Sequence, residues 1–298
     1  MGIKLLKKGG GLFRSLLTKS HILIFTFALL AILFTNEVSA EIIVQDFRGK
    51  TVRLSKPAER VVCLIESALT GIYMLKQGHK VIAIPTNVYN EGFYYSDTHK
   101  YYSILDERIK SKKIPAVGNW ESVNVEKILS LKPDLIIIWA SQRDVIHTFE
   151  KLGIPVYGVF ITKIDDVFKE IRDLGLMLNA RGRAEELIKY VTKEIDGIEG
   201  ITRKIKNNKK VFFSWAQHSF LHTSCKGSII DEIINKVGGI NLCRNVETES
   251  QILTMEQLIK LNPDVIIMWH AKSLNPEDIK RNNQYRAINA VKSDSIYQ

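Results

Sequence analysis

Seventeen residues of this chain recur 130 positions further on, and few folds accommodate such a repeat. The first copy runs from Val123 to Trp139 and the second from Leu253 to Trp269. Seven positions are identical: Glu126 and Glu256, Leu131 and Leu261, Pro133 and Pro263, Asp134 and Asp264, Ile136 and Ile266, Ile137 and Ile267, Trp139 and Trp269. Unrelated segments of ordinary composition would share roughly one. Each copy carries the same local chemistry. Asn124 or Thr254 offers a side-chain oxygen to cap a helix, and the glutamate two positions later lies in the first turn, where the helix dipole favours it. Ile128, Leu129 and Leu131 give that helix an apolar face. The proline ends it, the aspartate opens an entirely apolar strand, and a tryptophan stands at the strand's carboxyl end. Open α/β sheets bind ligands at their carboxyl ends, so Trp139 and Trp269 are expected to line the two walls of one cleft.

The surrounding residues extend this pattern. Arg60 to Ile65 is a short β-branched run suited to a strand buried on both faces, and Ser67 to Leu75 then has helical spacing. Val81 to Ile84 reads as the next strand, ended by Pro85. Residues 86–113 form a long polar, tyrosine-rich connection of the kind that is usually functional. A helix at 123–131, a strand from Leu135 to Ile138, a helix from 143 and a strand from Val156 to Phe160 follow. From Asp165 to Asn207 the spacing is helical, with interruptions expected near Gly182 and at Gly197 to Gly200. A second series opens with the strand Val211 to Trp215 and the helix Ser228 to Val237, stopped at Gly238-Gly239. Strand–helix alternation implies right-handed crossovers and parallel sheets. The expected fold is therefore α/β: two lobes with parallel central sheets, joined by a long interdomain helix, with a ligand cleft between them.

The first forty residues differ in kind. Lys4, Lys7, Lys8, Arg14 and Lys19 precede the apolar run Ile22 to Phe34, which is followed by Val38-Ser39-Ala40. A basic segment, an apolar core and small residues at a cleavage point, in that order, make a secretory signal peptide, and the run is shorter than the roughly 20 residues of a spanning helix. Export to the periplasm or the outer face of the cytoplasmic membrane follows. The leader also holds part of the net charge of +10, leaving about +6 for the rest. The remaining basic residues are scattered, and no zinc-finger, RRM or homeodomain pattern accompanies them, so no nucleic-acid partner is expected. Of the three cysteines, Cys63 falls in a buried strand. Cys225 and Cys243 are free to pair in an oxidising compartment, but spacing alone does not fix their geometry.

From residue 41 onward the chain resembles the periplasmic iron-siderophore and cobalamin binding proteins, in which a rigid helix joins two lobes. The resemblance rests on Asp46-Phe47-Arg48-Gly49-Lys50-Thr51-Val52, Pro57-Ala58-Glu59-Arg60-Val61-Val62 and Gly118-Asn119-Trp120 ahead of the first repeat copy. In the second half it rests on Gly227-Ser228-Ile229-Ile230 and Gly238-Gly239-Ile240-Asn241. It implies domains of 1–40 (signal peptide), 41–163 (first lobe), 164–208 (linking helical segment) and 209–298 (second lobe). Family members follow the strand that Ala290 to Tyr297 resembles with further helices, which implies a shortened second lobe here. By position, ligand contacts fall on Glu66, Ser67, Asn87, Tyr89, Asn119, Trp120 and Trp139 in the first lobe. In the second they fall on Trp215, His218, His222, Trp269 and His270. The repeated Glu126 and Glu256 correspond to the glutamates that engage arginines of the importer's membrane subunits.

The function implied is that of an extracytoplasmic solute-binding protein of an ABC importer, a monomer whose partners are the permease subunits and a small metal chelate. Iron siderophore, haem or corrinoid is the expected cargo, with no resident cofactor. Few arginines are available near the cleft, Arg143 being the nearest, which weighs against a strongly anionic siderophore. Two other readings remain. A metallocofactor enzyme or assembly factor would use His218, His222 and Cys225, although no Ser/His/Asp, P-loop or GxGxxG pattern supports catalysis. A membrane-anchored receptor would sense the ligand without transporting it.

Overall fold

The computed structural model describes residues 41–89, 98–204, 208–216, 219–269, 271 and 274–298. The leader read in residues 1–40 lies outside them. Two parallel sheets organise the rest. The first contains β3 (Val61–Cys63), β4 (Val81–Pro85), β5 (Ala116–Gly118), β6 (Leu135–Trp139) and β7 (Val156–Val159), in the spatial order β5-β4-β3-β6-β7. Every pairing is parallel. Strand β6 has four consecutive buried residues, Leu135 to Ile138, because helices cover both faces of the sheet. The strand order reverses between β3 and β6, and such a switch point opens a crevice at the carboxyl ends of the two strands.

The second sheet contains β8 (Lys210–Ser214), β10 (Ile240–Asn241), β12 (Val265–Met268) and β13 (Ile296–Tyr297), in the order β10-β8-β12-β13, again parallel throughout. Its order reverses between β8 and β12. Each sheet has its own buried core, one centred on residues such as Leu69, Ile137 and Tyr157 and the other on Phe212, Leu258 and Ile266.

The repeat is preserved in local structure. Its helices are Val125–Ser130 in the first copy and Met255–Leu261 in the second, capped by the side chains of Asn124 and Thr254. Lys132 and Asn262, the residues before the prolines, occupy the same left-handed conformation, with φ of 50° and 46°. Asp134 then accepts hydrogen bonds from the backbone N–H groups of Glu59 (2.9 Å) and Arg60 (2.8 Å), at the start of β3. Asp264 accepts one from Lys210 N–H (3.0 Å), at the start of β8. The cations on those same strands cap the preceding helices: Arg60 donates to the Leu131 carbonyl, and Lys210 to the carbonyl of Leu261. One device thus sets the register of the central strand pair in both lobes.

The linking segment differs from the reading above. It forms two helices, Ile164–Met177 and Arg181–Thr202, the second about 33 Å long at the usual rise. The break falls at Leu178–Ala180, where Asn179 takes a φ of 59°. Gly182, Gly197 and Gly200 sit inside the second helix facing open space, where their low helix propensity costs about 1 kcal/mol each and is outweighed. Gly175 has a different role, since a Cβ there would meet Ala184 at 2.6 Å; its absence lets the two helices cross closely. The first of them reaches the second lobe, where Ile164 N–H donates to Glu232 at 2.7 Å.

Two further differences concern loops. The connection from 86 carries helices Thr98–Leu105 and Glu107–Lys110, with Tyr102 buried and Asp106 capping the second. Tyrosines hid that amphipathic spacing. Cys225 and Cys243 are joined by a disulfide, with Cα atoms 4.5 Å apart, which answers the question their spacing left open. The Asp46-Phe47-Arg48 signature closes the hairpin of β1 (Ile42–Gln45) and β2 (Thr51–Leu54): Asp46 accepts from Arg48 and Lys50 N–H and from Gly158 N–H of β7.

Candidate functional site

The candidate residues stand at the carboxyl ends of the two sheets. In the first lobe, Glu66 opens the helix Glu66–Met74 immediately beyond β3, and Trp139 closes β6, so the two flank the switch point. Trp139 is half-buried against the first core. Its carbonyl accepts from Gln142 N–H, and the next residue, Ala140, donates to Val159 of β7, which fixes the strand end.

A line of amides leads from the β5 loop to Glu66. Gly118 allows that loop to fold back, because a Cβ there would stand 2.6 Å from the Ser122 carbonyl, and its φ of 149° is foreign to other residues. Asn119 Oδ1 accepts the N–H groups of Glu121 and Ser122 (2.9 and 3.1 Å), while its Nδ2 donates to Asn87 Oδ1 at 3.0 Å. Gln142 Nε2 donates to the Asn119 carbonyl at 3.0 Å. Burial raises the Glu66 carboxyl pKa, and its own backbone and the Asn87 amide partly offset the rise. Glu66 Oε1, Asn87 Nδ2 and Gln142 Oε1 are nevertheless buried without a hydrogen bond of normal geometry. Ser67 is exposed beside them, Trp120 is 53% exposed, and Tyr89 donates to the Ile114 carbonyl at 2.8 Å.

The second lobe presents aromatic surface instead. Trp215 follows β8 and Trp269 follows β12, directly at the second switch point, where Trp269 N–H donates to Ser214 at 2.7 Å. Their rings lie 5.4 Å apart at 47°, and Phe213 meets both edge-on. Trp215 Nε1–H is tied back to Ser224 Oγ at 3.0 Å, leaving the ring faces free of polar demand. Trp269 is 45% exposed. His222 begins β9 (His222–Ser224), which pairs antiparallel with β11 (Ser250–Ile252), and its ring lies 6.5 Å from that of Trp215.

The sequence-derived contact positions therefore gather as two sets: Glu66, Asn87 and Asn119 in one lobe, and Trp215, His222 and Trp269 in the other. His218 and His270 lie outside the described residues. Glu126 and Glu256 are exposed in the first turns of the repeat helices, separate from both sets' hydrogen bonds. Cys225 is locked in its disulfide, which removes the thiolate from the metal site that His218 and His222 would need. Among the described residues, no three His, Cys, Asp or Glu side chains converge on a metal position. Gln142 escaped the sequence reading, as did Phe213. Gln142 stands three residues past the repeat's tryptophan, where its copy would be Lys272, so the repeat offered no signal for it.

The sequence profile described as periplasmic binding protein matches residues 61–298, most of the chain and both switch points. The chain belongs to this family. A substrate-binding lipoprotein of an ABC transporter from Bacillus subtilis is 27% identical over 261 residues, covering 85% of this chain and 76% of that one. A vitamin B12-binding protein from Salmonella typhi is 28% identical over 169 residues, covering 56% of this chain and 62% of the relative. The solved structure of the Helicobacter pylori protein CeuE with nickel(II) bound superposes with a TM-score of 0.72 at 22% identity, over 86% of this chain and 81% of that one. That last likeness establishes a shared two-lobed fold. As a periplasmic binding protein the chain is thus of the solute-binding class that serves ABC transporters, and among its described residues no helix is long and apolar enough to cross a membrane.

Proposed function

We propose that this periplasmic binding protein captures a metal chelate, haem or corrinoid outside the cytoplasmic membrane and presents it to the permease of an ABC importer. The observation that carries the reading is the placement of Trp139 with Glu66, and of Trp269 with Trp215, at the switch points of two sheets in one chain. Indole rings bury a large flat area with little loss of side-chain entropy, which suits a bulky, partly apolar chelate. Relatives named for vitamin B12 binding and for ABC transport support the same class. The role is capture and delivery rather than catalysis.

In this reading Glu126 and Glu256 dock the loaded protein, one from each lobe. Both are exposed, and both sit on short helices whose dipoles favour a carboxylate. Titrating the purified protein with cobalamin, haemin and a ferric hydroxamate should quench tryptophan emission for at least one of them; silence with every ligand would remove the capture role. Reversing both glutamates to lysine should abolish uptake into cells while ligand affinity stays unchanged. Unaltered uptake would refute the docking assignment.

A further inference from the structure

We infer that the first lobe selects a chelate with a neutral or cationic periphery that offers N–H or O–H donors to Glu66 and Gln142, and that it discriminates against polyanionic chelates. The inference rests on the capture reading above and adds the charge and hydrogen-bonding character of the cargo.

Glu66, like the buried Glu170 of the linking helix, differs in its company from the paired acids of the molecule. Asp106 is paired with Arg108 at 2.6 Å, Glu150 with Arg48 and Lys50 at 3.0 and 2.6 Å, and Glu199 with Lys236 at 2.8 Å. Asp264 lies beside Lys209 and Lys210. Glu66 has no such cation among the described residues: burial, its own backbone and the Asn87 amide are the influences on it. Its Oε1 atom is buried and lacks a donor.

The amides around it are oriented, not interchangeable. Two backbone N–H groups hold Asn119 with Oδ1 toward them, so its Nδ2 must point at Asn87. Asn87 therefore turns Oδ1 to Asn119 and its Nδ2 toward the Glu66 carboxyl, close enough to lower its pKa but without a hydrogen bond of normal geometry, although the residue is only 5% exposed. Gln142 spends its Nε2 on the Asn119 carbonyl, which leaves Oε1 as a second acceptor without a donor. The set ends in two acceptors and one amide donor. A ligand rich in amide N–H or hydroxyl groups satisfies the acceptors, whereas added carboxylates or catecholates bring acceptors to acceptors and meet vacant lone pairs.

Among the described residues, the second lobe presents indoles rather than cations at its switch point. Trp215 and Trp269 offer ring faces, which attract cations and neutral apolar groups rather than anions. Among the described residues, no lysine or arginine side chain donates to Glu66, Asn87, Asn119 or Gln142, and the Trp215 indole N–H is held by Ser224.

Tryptophan quenching at fixed pH and ionic strength tests the inference with cyanocobalamin, the cationic ferric trihydroxamate ferrioxamine B and a trianionic ferric triscatecholate. At least one of the first two is expected to bind about tenfold more tightly than the third. Glu66→Gln, checked for folding by circular dichroism, should weaken the cationic probe about tenfold and narrow the gap. Gln142→Lys should raise affinity for the trianionic probe. Equal or tighter binding of the triscatecholate by the unmodified protein overturns the inference while leaving the capture role standing, as does an unchanged ranking in both variants. If no probe quenches, the capture role falls and the inference with it.

Discussion

Glu170 is 3% exposed in the helix Ile164–Met177, and one of its carboxylate oxygens has no hydrogen-bond partner. Burial, with a smaller contribution from Asp173, pushes its pKa up to about 7 from an ordinary 4.5. The folded chain therefore holds a proton that the unfolded chain has released, so stability falls as pH rises from about 4.5 to 7 and is level above that. Glu170→Gln is expected to abolish this slope. It should stabilise the protein by about 2–3 kcal/mol at pH 8 and change little at pH 4, as read from urea denaturation at the two values. Nothing in the sequence around Glu170 distinguishes it from Asp165, Asp166 and Asp173 of the same helix, because its cost arises from what packs over it. Gln142 was hidden for the same reason. Trp139, Trp269 and the paired glutamates were legible because the repeat marks them twice, and a position marked twice carries information that a single residue does not.

At the scale of the element, the repeated helix–turn–strand is held by one aspartate in each copy. Asp134 closes two backbone N–H groups of its neighbouring strand, and Asp264 closes one. Asp134→Ala is expected to destabilise the protein by about 2–3 kcal/mol and Asp264→Ala by about 1–2 kcal/mol, in proportion to the donors left unpaired. Chemical denaturation of the two single variants gives the comparison; equal losses would show that the donors find other partners. The caps at Asn124 and Thr254, the breaks at Pro133 and Pro263 and the apolar strands were all readable, since each is local chemistry. The turn at Leu178–Ala180 was not, because it depends on Gly175 admitting Ala184, a contact between helices. Glycines within the second linking helix pointed to the wrong place, as an exposed glycine weakens a helix without ending it.

Over the whole molecule, the two sheets share a plan but not a surface. One ends in amides, a carboxylate and the single indole of Trp139, the other in the paired indoles of Trp215 and Trp269. The disulfide between Cys225 and Cys243 belongs to the aromatic lobe and closes a loop spanning 18 positions, which by the chain-entropy relation adds about 3 kcal/mol. Replacing both cysteines with serine, or adding a reductant, should lower the unfolding free energy by about that amount, with Asn241 and its bonds to Ser224, Asp231 and Cys243 loosened first. Insensitivity of the denaturation midpoint to reductant would contradict it. The tilted Trp215–Trp269 pair has an optical consequence as well. Two strong chromophores held in one fixed, chiral relation couple their transitions, so this lobe carries its own circular-dichroism signature. Any guest that slides over those rings rewrites that spectrum without a label being attached.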